Sequence, residues 1–381
     1  MKTYRYLLLL SIVGVFSCKK ADLELYPYNQ IGTENAFKTE GDVTLAINGM
    51  YAGLRSTTND TYFVDGIWNI VADVLADNLI INASGPGRLT LRTYGNWQYT
   101  GEGTFLLFTD GYTITRRANA ILENIDKMPD GSFKDNAKGE ALAVRALTYF
   151  DMVRVYSKTY QNAAAGDWTM PYVTSTDPTI TPASESVQGF YDKVIADLES
   201  AKTLIGTNNG LYRVNKLTVS ALLSRVYLYK GDYTKCIEAS NDALGATPSL
   251  PTIAQFPSIW KDAEANGNTV PSLGVYFKVK NTKTDNINGI GVNYYQPIKT
   301  SNAPTYDVRS EYVVPNDFRQ LFTATDVRTT SYLYTGPHNG KNFHHVIKYG
   351  GRANTVLGTD ETGANSVGVV DYKVIRTAEV L

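Results

Sequence analysis

Cysteine is nearly missing: Cys18 and Cys236 are the only two in 381 residues. A disulfide-stapled scaffold is therefore excluded, and stability has to come from an apolar core, which a chain of this length can bury. Histidine is almost as scarce, with His338, His344 and His345 making up the set. Adjacent residues of a strand point oppositely, and no i, i+4 or cysteine partner accompanies these three, so they read as surface histidines and not as a metal site. Charge is thin as well, at 19% of residues with a net value of −1, which argues against a nucleic-acid binder that works by phosphate neutralisation. Signatures of catalysis are wanting. Asp73 and Asp77 are spaced i, i+4 and would share a helix face, whereas glycosidase carboxylates flank a sugar across a cleft, roughly 5 to 10 Å apart. Gly289-Ile290-Gly291 has no strand-to-helix context for a dinucleotide fingerprint, and there is no phosphate-binding loop. No enzyme and no cofactor is expected.

At the N-terminus Lys2 and Arg5 precede an apolar run from Leu7 to Phe16, broken only by Ser11 and Gly14 and ending at Ser17-Cys18. A run of about 10 residues is too short for a membrane span, which needs roughly 20, and fits a secretory leader. A small residue directly before Cys18 resembles the bacterial lipobox, in which the cysteine is acylated and becomes the mature N-terminus. Phe16 departs from the small residues a strict lipobox prefers. Lipidation of Cys18 leaves Cys236 alone in the folded part, so no disulfide forms within the chain. The lipid, and not a basic patch, would then hold the protein at a membrane.

The abundant residue is tyrosine, 27 against 13 Phe and 4 Trp. An apolar ring carrying a hydroxyl suits a wet surface that contacts polar ligands. The organising stretch is Ala137 to Ser157, apolar on nearly every side from Ala141 onward. Such a helix is central, with others packed on both sides. Arg145 and Arg154 interrupt it and read as structural, since a guanidinium among packed helices needs carboxylate or carbonyl partners.

Around it the periodicity predicts helices from Thr39 to Leu54, Ile67 to Ile80, Phe105 to Lys127 and Val187 to Ile205. A hairpin follows, Asn215 to Tyr229 and Tyr233 to Leu244 around Lys230-Gly231-Asp232, comparable to a tetratricopeptide repeat. Cys236 takes a small packing slot there and Ser240 one usually aromatic. Beyond Pro251 the chain turns loop-rich, with brief apolar alternation at Leu273 to Val279 and Tyr332 to Tyr334. The close, VDYKVIRTAEVL, reads as an amphipathic helix starting at Val374 and stopping in mid-course at Leu381, as in a fragment lacking at least one helical hairpin.

Between the second and third helices, residues 82–104 are rich in glycine and too long for an ordinary connection. The glycines exclude a regular helix. Arg88, Arg92, Tyr94, Asn96, Trp97 and Tyr99 stand among them, flat faces beside amide and guanidinium donors, and could hold the apolar face of a sugar while bonding its hydroxyls. The alternative is that Trp97 and Tyr99 fold inward over the helices.

Taken in order, the Cys18 start, AFKTEGDVTLAINGMYAGLR, YTITRRANAILENID, KGEALAVRALTYFDMVRVY, the MPY crossing, FYDKVIADLESAK, KLTVSALLSRVYLYKGDYTKCIEAS, FRQLFTATDVR and KVIRTAEVL resemble the SusD/RagB family of outer-membrane lipoproteins of Bacteroidetes. The resemblance implies a mostly α fold of tetratricopeptide-like helical hairpins with a loop-rich irregular part containing short strands. It divides the chain into a lipoprotein signal peptide (1–18), a helical region with binding loops 82–104 (19–250), and a loop-rich region incomplete at its end (251–381). It implies a surface-exposed protein, lipid-anchored in the outer membrane, that captures a polysaccharide or oligosaccharide and passes it to a SusC-like TonB-dependent transporter, without catalysis, metal or nucleic acid. The alternative is a docking subunit of the transporter complex with no ligand site of its own. No residue-level ligand motif is shared across the family, so Arg88, Asn96, Trp97 and Tyr99 rest on their chemistry alone.

Overall fold

Every residue from Gly139 to Val153 is buried in the helix that runs from Ser132 to Tyr156. The computed structural model describes residues 36–55, 67–83, 92–98, 107–207, 209–246, 248–260, 274–280, 296–299, 306–348 and 371–381. In chain order the longer helices are α1 (Glu40–Ala52), α2 (Ile67–Leu75), α4 (Leu107–Asn124), α5 (Ser132–Tyr156), α6 (Val187–Leu204), α7 (Lys216–Lys230) and α8 (Tyr233–Leu244), with a single turn α3 (Arg92–Gly95) between α2 and α4. Helix α5 is covered by α4 and α1 on one side and by α6 on the other, as a helix apolar all round requires. The approach to α4 is close. A Cβ on Gly111 would stand 2.2 Å from the Met152 sulfur, so the Met152 side chain fills the space that glycine leaves and would have to shift for any larger residue.

Polar groups inside the bundle are all but spoken for. Asp197 of α6 takes Arg145 in a fork, Nε at 2.7 Å and Nη2 at 2.8 Å, while Nη1 donates to Asn119 Oδ1 at 2.9 Å. Tyr172 adds its hydroxyl to Asp197 at 2.6 Å. Arg154 pairs with Asp151 one turn back and lies over the Phe150 and Tyr229 rings.

Glu140, fully buried, accepts from Tyr51 Oη and Asn136 Nδ2, both at 2.8 Å, and pairs with Arg213 at 3.0 Å. Burial nevertheless pushes its carboxyl up to about 7, against the pull of Arg213. Between the unfolded and folded values the native state holds the proton more tightly than the unfolded chain. Its stability is therefore expected to fall by about 3 kcal/mol as pH rises from about 4.5 to 7. Urea unfolding at pH 5 and pH 7.5 should show that slope in the wild type and lose it in Glu140→Gln; equal slopes would refute it.

Caps set the helix ends. Thr39 and Asp42 form a reciprocal capping box at α1. Ser186 Oγ accepts from Gly189 N at 3.0 Å at the start of α6. Asn215 caps α7, Gly231 ends it in the left-handed conformation (φ 81°), and Asp232 caps α8. In the resulting hairpin Ser224 and Ser240 hydroxyls bond at 2.7 Å, and the half-buried Cys236 thiol lies 3.7 Å from Ser224 Oγ.

A second apolar cluster lies beyond the bundle, built by Ile70, Val71 and Val74 of α2 with Trp260, Tyr312, Leu333 and Val346. Short antiparallel pairs frame it, β1 (Ile80–Ile81) with β7 (Tyr312–Val313) and β8 (Leu333–His338) with β9 (Lys341–Val346), while β4 (Val275–Val279) with β10 (Tyr372–Arg376) packs Phe277, Val279, Val374 and Ile375 into the bundle core and reaches the second cluster through Val275. The pairs β2 (Trp168–Thr169) with β3 (Glu185–Ser186) and β5 (Gln296–Lys299) with β6 (Tyr306–Arg309) complete the set among the described residues. The fold is thus mostly helical with a loop-rich part that carries short strands.

Four expectations are corrected. Helix α2 stops at Leu75, and Asp77 adopts a left-handed conformation (φ 57°), so Asp73 and Asp77 do not share a helix face. A helical turn, α3, forms within the glycine-rich stretch. The closing stretch is strand β10, hydrogen-bonded to β4, with helix only from Thr377 to Val380. His338 and His345 are buried, not superficial. His338 Nδ1 is 2.7 Å from Asn82 Nδ2, and His345 Nδ1 is 2.8 Å from Ser310 Oγ.

Candidate functional site

The glycine-rich stretch is anchored before it is exposed. Strand β1 pairs Ile80 with Val313, and Asn82 Nδ2 donates to Ser310 O at 3.0 Å, fixing the exit of α2 to the second cluster. Gly95, at the end of the single turn α3, lies so close to Ile81 that an added Cβ would sit 3.1 Å from its side chain. Tyr94 packs half-buried against that cluster. The next residues face outward. Asn96 is exposed, and Trp97 is 53% exposed.

Trp97 has φ 52°, left-handed backbone that an indole-bearing residue seldom adopts, with its N–H on Tyr94 O at 2.9 Å. Gln98 N reaches Thr93 O at 2.7 Å. Strain of this kind costs about 1–3 kcal/mol and gathers at binding and switch sites. The inward alternative therefore fails for Trp97. Arg88, Tyr99 and Cys18 lie outside the described residues.

A second group of aromatic rings gathers at the start of α4, close enough to Tyr94 for that residue to act on the Tyr156 hydroxyl. Phe108, at the start of α4 and 43% exposed, meets the Tyr156 ring edge-on at 5.4 Å and stands 4.8 Å from Tyr112. Tyr156 Oη accepts from Phe108 N at 2.9 Å. Burial raises the Tyr156 hydroxyl above its ordinary range, with Tyr94 and Asp110 adding to it, so the group stays protonated at neutral pH. Phe108 and Tyr156 thus supply flat faces and a neutral hydroxyl beside the Tyr94 and Trp97 turn. Sequence reasoning picked out Tyr94 and Trp97 and missed Phe108 and Tyr156, since those two come from helices whose periodicity reads as packing.

A cavity of about 360 Å³ opens beside α2, and sequence reasoning missed it entirely. Asp73, Asn78, Phe318, Phe322, Arg328 and Tyr332 line it. Asn78 Nδ2 donates to Asp73 Oδ1 at 3.2 Å, and Arg328 lies 4.9 Å over the Phe322 ring while pairing with Asp326 at 2.6 Å. Rings beside an amide, a carboxylate and a guanidinium suit a polyhydroxylated ligand. These side chains are drawn from segments some 240 residues apart, and the one local hint was the i, i+4 pair Phe318 and Phe322.

Among the described residues no cluster of three His, Cys, Asp or Glu side chains is arranged to hold a metal ion. No described helix is long and apolar enough to cross a membrane.

Helical hairpins packed in series, with a loop-rich part that carries short strands, define the class: a mostly helical, tetratricopeptide-like scaffold. The chain belongs to the SusD-like family: residues 23–228 match the family described as starch-binding, associating with outer membrane. It is 30% identical over 241 residues to a SusD-like protein of Formosa agariphila, a match that covers 63% of this chain and 44% of that protein's length. The fold is similar to a SusD superfamily protein of Bacteroides vulgatus (TM-score 0.70, 22% identity, 90% of this chain and 74% of that one). It is also similar to surface glycan-binding protein A of Bacteroides thetaiotaomicron, solved in complex with laminarihexaose (TM-score 0.67, 14% identity, 89% and 76%).

Proposed function

We propose that this protein captures a glycan on the surface around Trp97, without cleaving it, and delivers it to a SusC-like TonB-dependent transporter while a lipid on Cys18 holds it in the outer membrane, facing outward. The carrying observation is the Trp97 ring, held outward on a strained turn whose base is locked into the second apolar cluster. Asn96 adds an exposed amide beside it, and Arg88 and Tyr99 belong to the same stretch of chain. The family's starch-binding description and the laminarihexaose bound by a protein of the same fold support a neutral glucan as ligand.

Calorimetric titration with laminarihexaose and maltohexaose is the test. Saturable binding of at least one is expected, with the oligosaccharide recovered intact. No heat with either, together with co-purification with the transporter, would transfer support to the second reading, a docking subunit. That reading draws on the outer face of the α7–α8 hairpin, where Leu217, Tyr233 and Ile237 are exposed.

A further inference from the structure

His338 and Asn82 come from segments 256 residues apart and meet in the interior, both buried. Asn82 directly follows strand β1. Its N–H donates to Glu311 O at 2.9 Å, and its side-chain Nδ2 reaches two acceptors, Ser310 O at 3.0 Å and His338 Nδ1 at 2.7 Å. The chemistry of these partners fixes a proton. A carbonyl oxygen only accepts, so Ser310 O decides which end of the Asn82 amide is the nitrogen. The same nitrogen faces His338, whose Nδ1 must then accept, which makes the ring neutral with its proton on Nε2. The turn at Asn339-Gly340, with φ of 50° and 77°, closes β8 on β9 directly after this residue and holds the ring in place.

The other two histidines are bound differently. His345 Nε2 donates to Gly336 O at 3.2 Å and its Nδ1 faces the Ser310 hydroxyl at 2.8 Å, while His344 Nδ1 faces the Thr335 hydroxyl at 2.8 Å. A hydroxyl turns from donor to acceptor, so either ring can take a second proton and keep these bonds. His338 cannot. With a proton on Nδ1 it opposes the Asn82 N–H, and turning the amide over sets its oxygen against Ser310 O instead. One of the two contacts is lost in either arrangement, at a buried site where an unmet polar group is costly. Besides the two other histidines, the charged groups around the ring are Lys341, opposite it in the β8–β9 register, Glu311 next to Ser310, Arg328 on the turn Arg328–Ser331 that packs on β8, and Asp307 and Arg309 of strand β6 beside β8. These set the pH at which the ring charges; the Asn82 amide sets what charging does.

From Asn82 the effect reaches the Trp97 surface through direct packing. The Asn82 N–H and the pairing of Ile81 with Tyr312 hold β1 on β7, and the Ile81 side chain lies where a Cβ on Gly95 would meet it at 3.1 Å. Gly95 closes the single turn α3. Two residues on, Trp97 sits on left-handed backbone, kept there by its own N–H on Tyr94 O and by Gln98 N–H on Thr93 O. A strained turn keeps its shape only while its surroundings enforce it.

We propose that His338 is a positioning residue for the Trp97 surface and makes glycan capture depend on pH: neutral, it holds Asn82 and the base of the turn; protonated, it releases them and weakens the grip on the glycan. The glycan part rests on the Trp97 reading, and the release of the turn rests on the hydrogen bonds alone.

Three histidines make a simple spectrum, so NMR of the chain carrying isotope-labelled histidine reads the ring directly. At pH 7.5 the Nδ1 of His338 should appear unprotonated, and a protonated Nδ1 would overturn the proposal. Hydrogen exchange, corrected for the intrinsic effect of pH, should find the Trp97 and Gln98 amides about tenfold less protected at pH 5 than at pH 7.5. Amides of α5 should be no less protected in acid, because the Glu140 effect runs the other way. Laminarihexaose affinity should weaken about tenfold over the same interval. His338→Asn keeps an acceptor close to the Nδ1 position and does not titrate, so both changes should vanish in it. Should that variant fail to fold, the wild type still decides: loss of protection at Trp97 must follow the same pH midpoint as the His338 ring. Separate midpoints, protection equal at both pH values, or measurable affinity that stays level while the ring titrates would each overturn the proposal. No laminarihexaose binding at either pH would count against the Trp97 reading, and the ring and amide measurements would then decide this one.

Discussion

Asp197→Ala is expected to destabilise the protein by about 3–5 kcal/mol, the usual cost of stranding one partner of a buried ion pair. Asp197 neutralises Arg145 in a two-point fork inside the bundle and takes the Tyr172 hydroxyl as well. Its removal leaves a guanidinium among Tyr149, Phe190 and Tyr172, rings that pack within 4.3 to 5.5 Å of one another and offer no carboxylate. Asn119 remains at 2.9 Å as a neutral acceptor for a single N–H. The double replacement Arg145→Met with Asp197→Leu should recover most of the loss, because it removes both desolvation costs together. Urea midpoints for the two variants make the comparison. Equal destabilisation by the single and double replacements would mean that volume, and not the stranded charge, governs the site.

The same residues show how much of the fold can be read along the chain. Helix α5 is legible because its burial is a property of its own composition, and the α7–α8 hairpin because Asn215, Gly231 and Asp232 are local punctuation. Arg145 is legible as a residue needing a partner, but Asp197 is 52 positions away and nothing local marks it. Distance also explains the corrections. Val374 and Ile375 fit either a short strand or a helix face, and the pairing with Phe277 and its neighbours, about a hundred residues earlier, settles the matter. His338 is buried against Asn82, 256 residues away, a pairing that no spacing rule reaches. The candidate surface was legible only in part for the same reason. Trp97 declares itself among glycines, whereas Phe108 and Tyr156 join one another only through the packing of α4 on α5.

Trp97→Ala is expected to weaken laminarihexaose binding about thirtyfold or more, the range for truncating a dominant aromatic contact. The backbone at this position supplies a control that few binding residues allow. At φ 52° any side chain with a Cβ is strained, and glycine is not. Trp97→Gly should therefore lose binding as severely as Trp97→Ala while leaving stability equal to or up to about 1 kcal/mol above that of the alanine variant. A protein that binds less while folding at least as well has lost a contact and not its structure. Trp97→Phe keeps a flat face on the same turn and should retain part of the affinity, since stacking needs a ring more than the indole N–H. If all three variants bind laminarihexaose as the wild type does, the ring is not the contact. The cavity lined by Asp73, Asn78 and Phe318 would then be the place to look, because its rings and polar groups can hold the same ligand without Trp97.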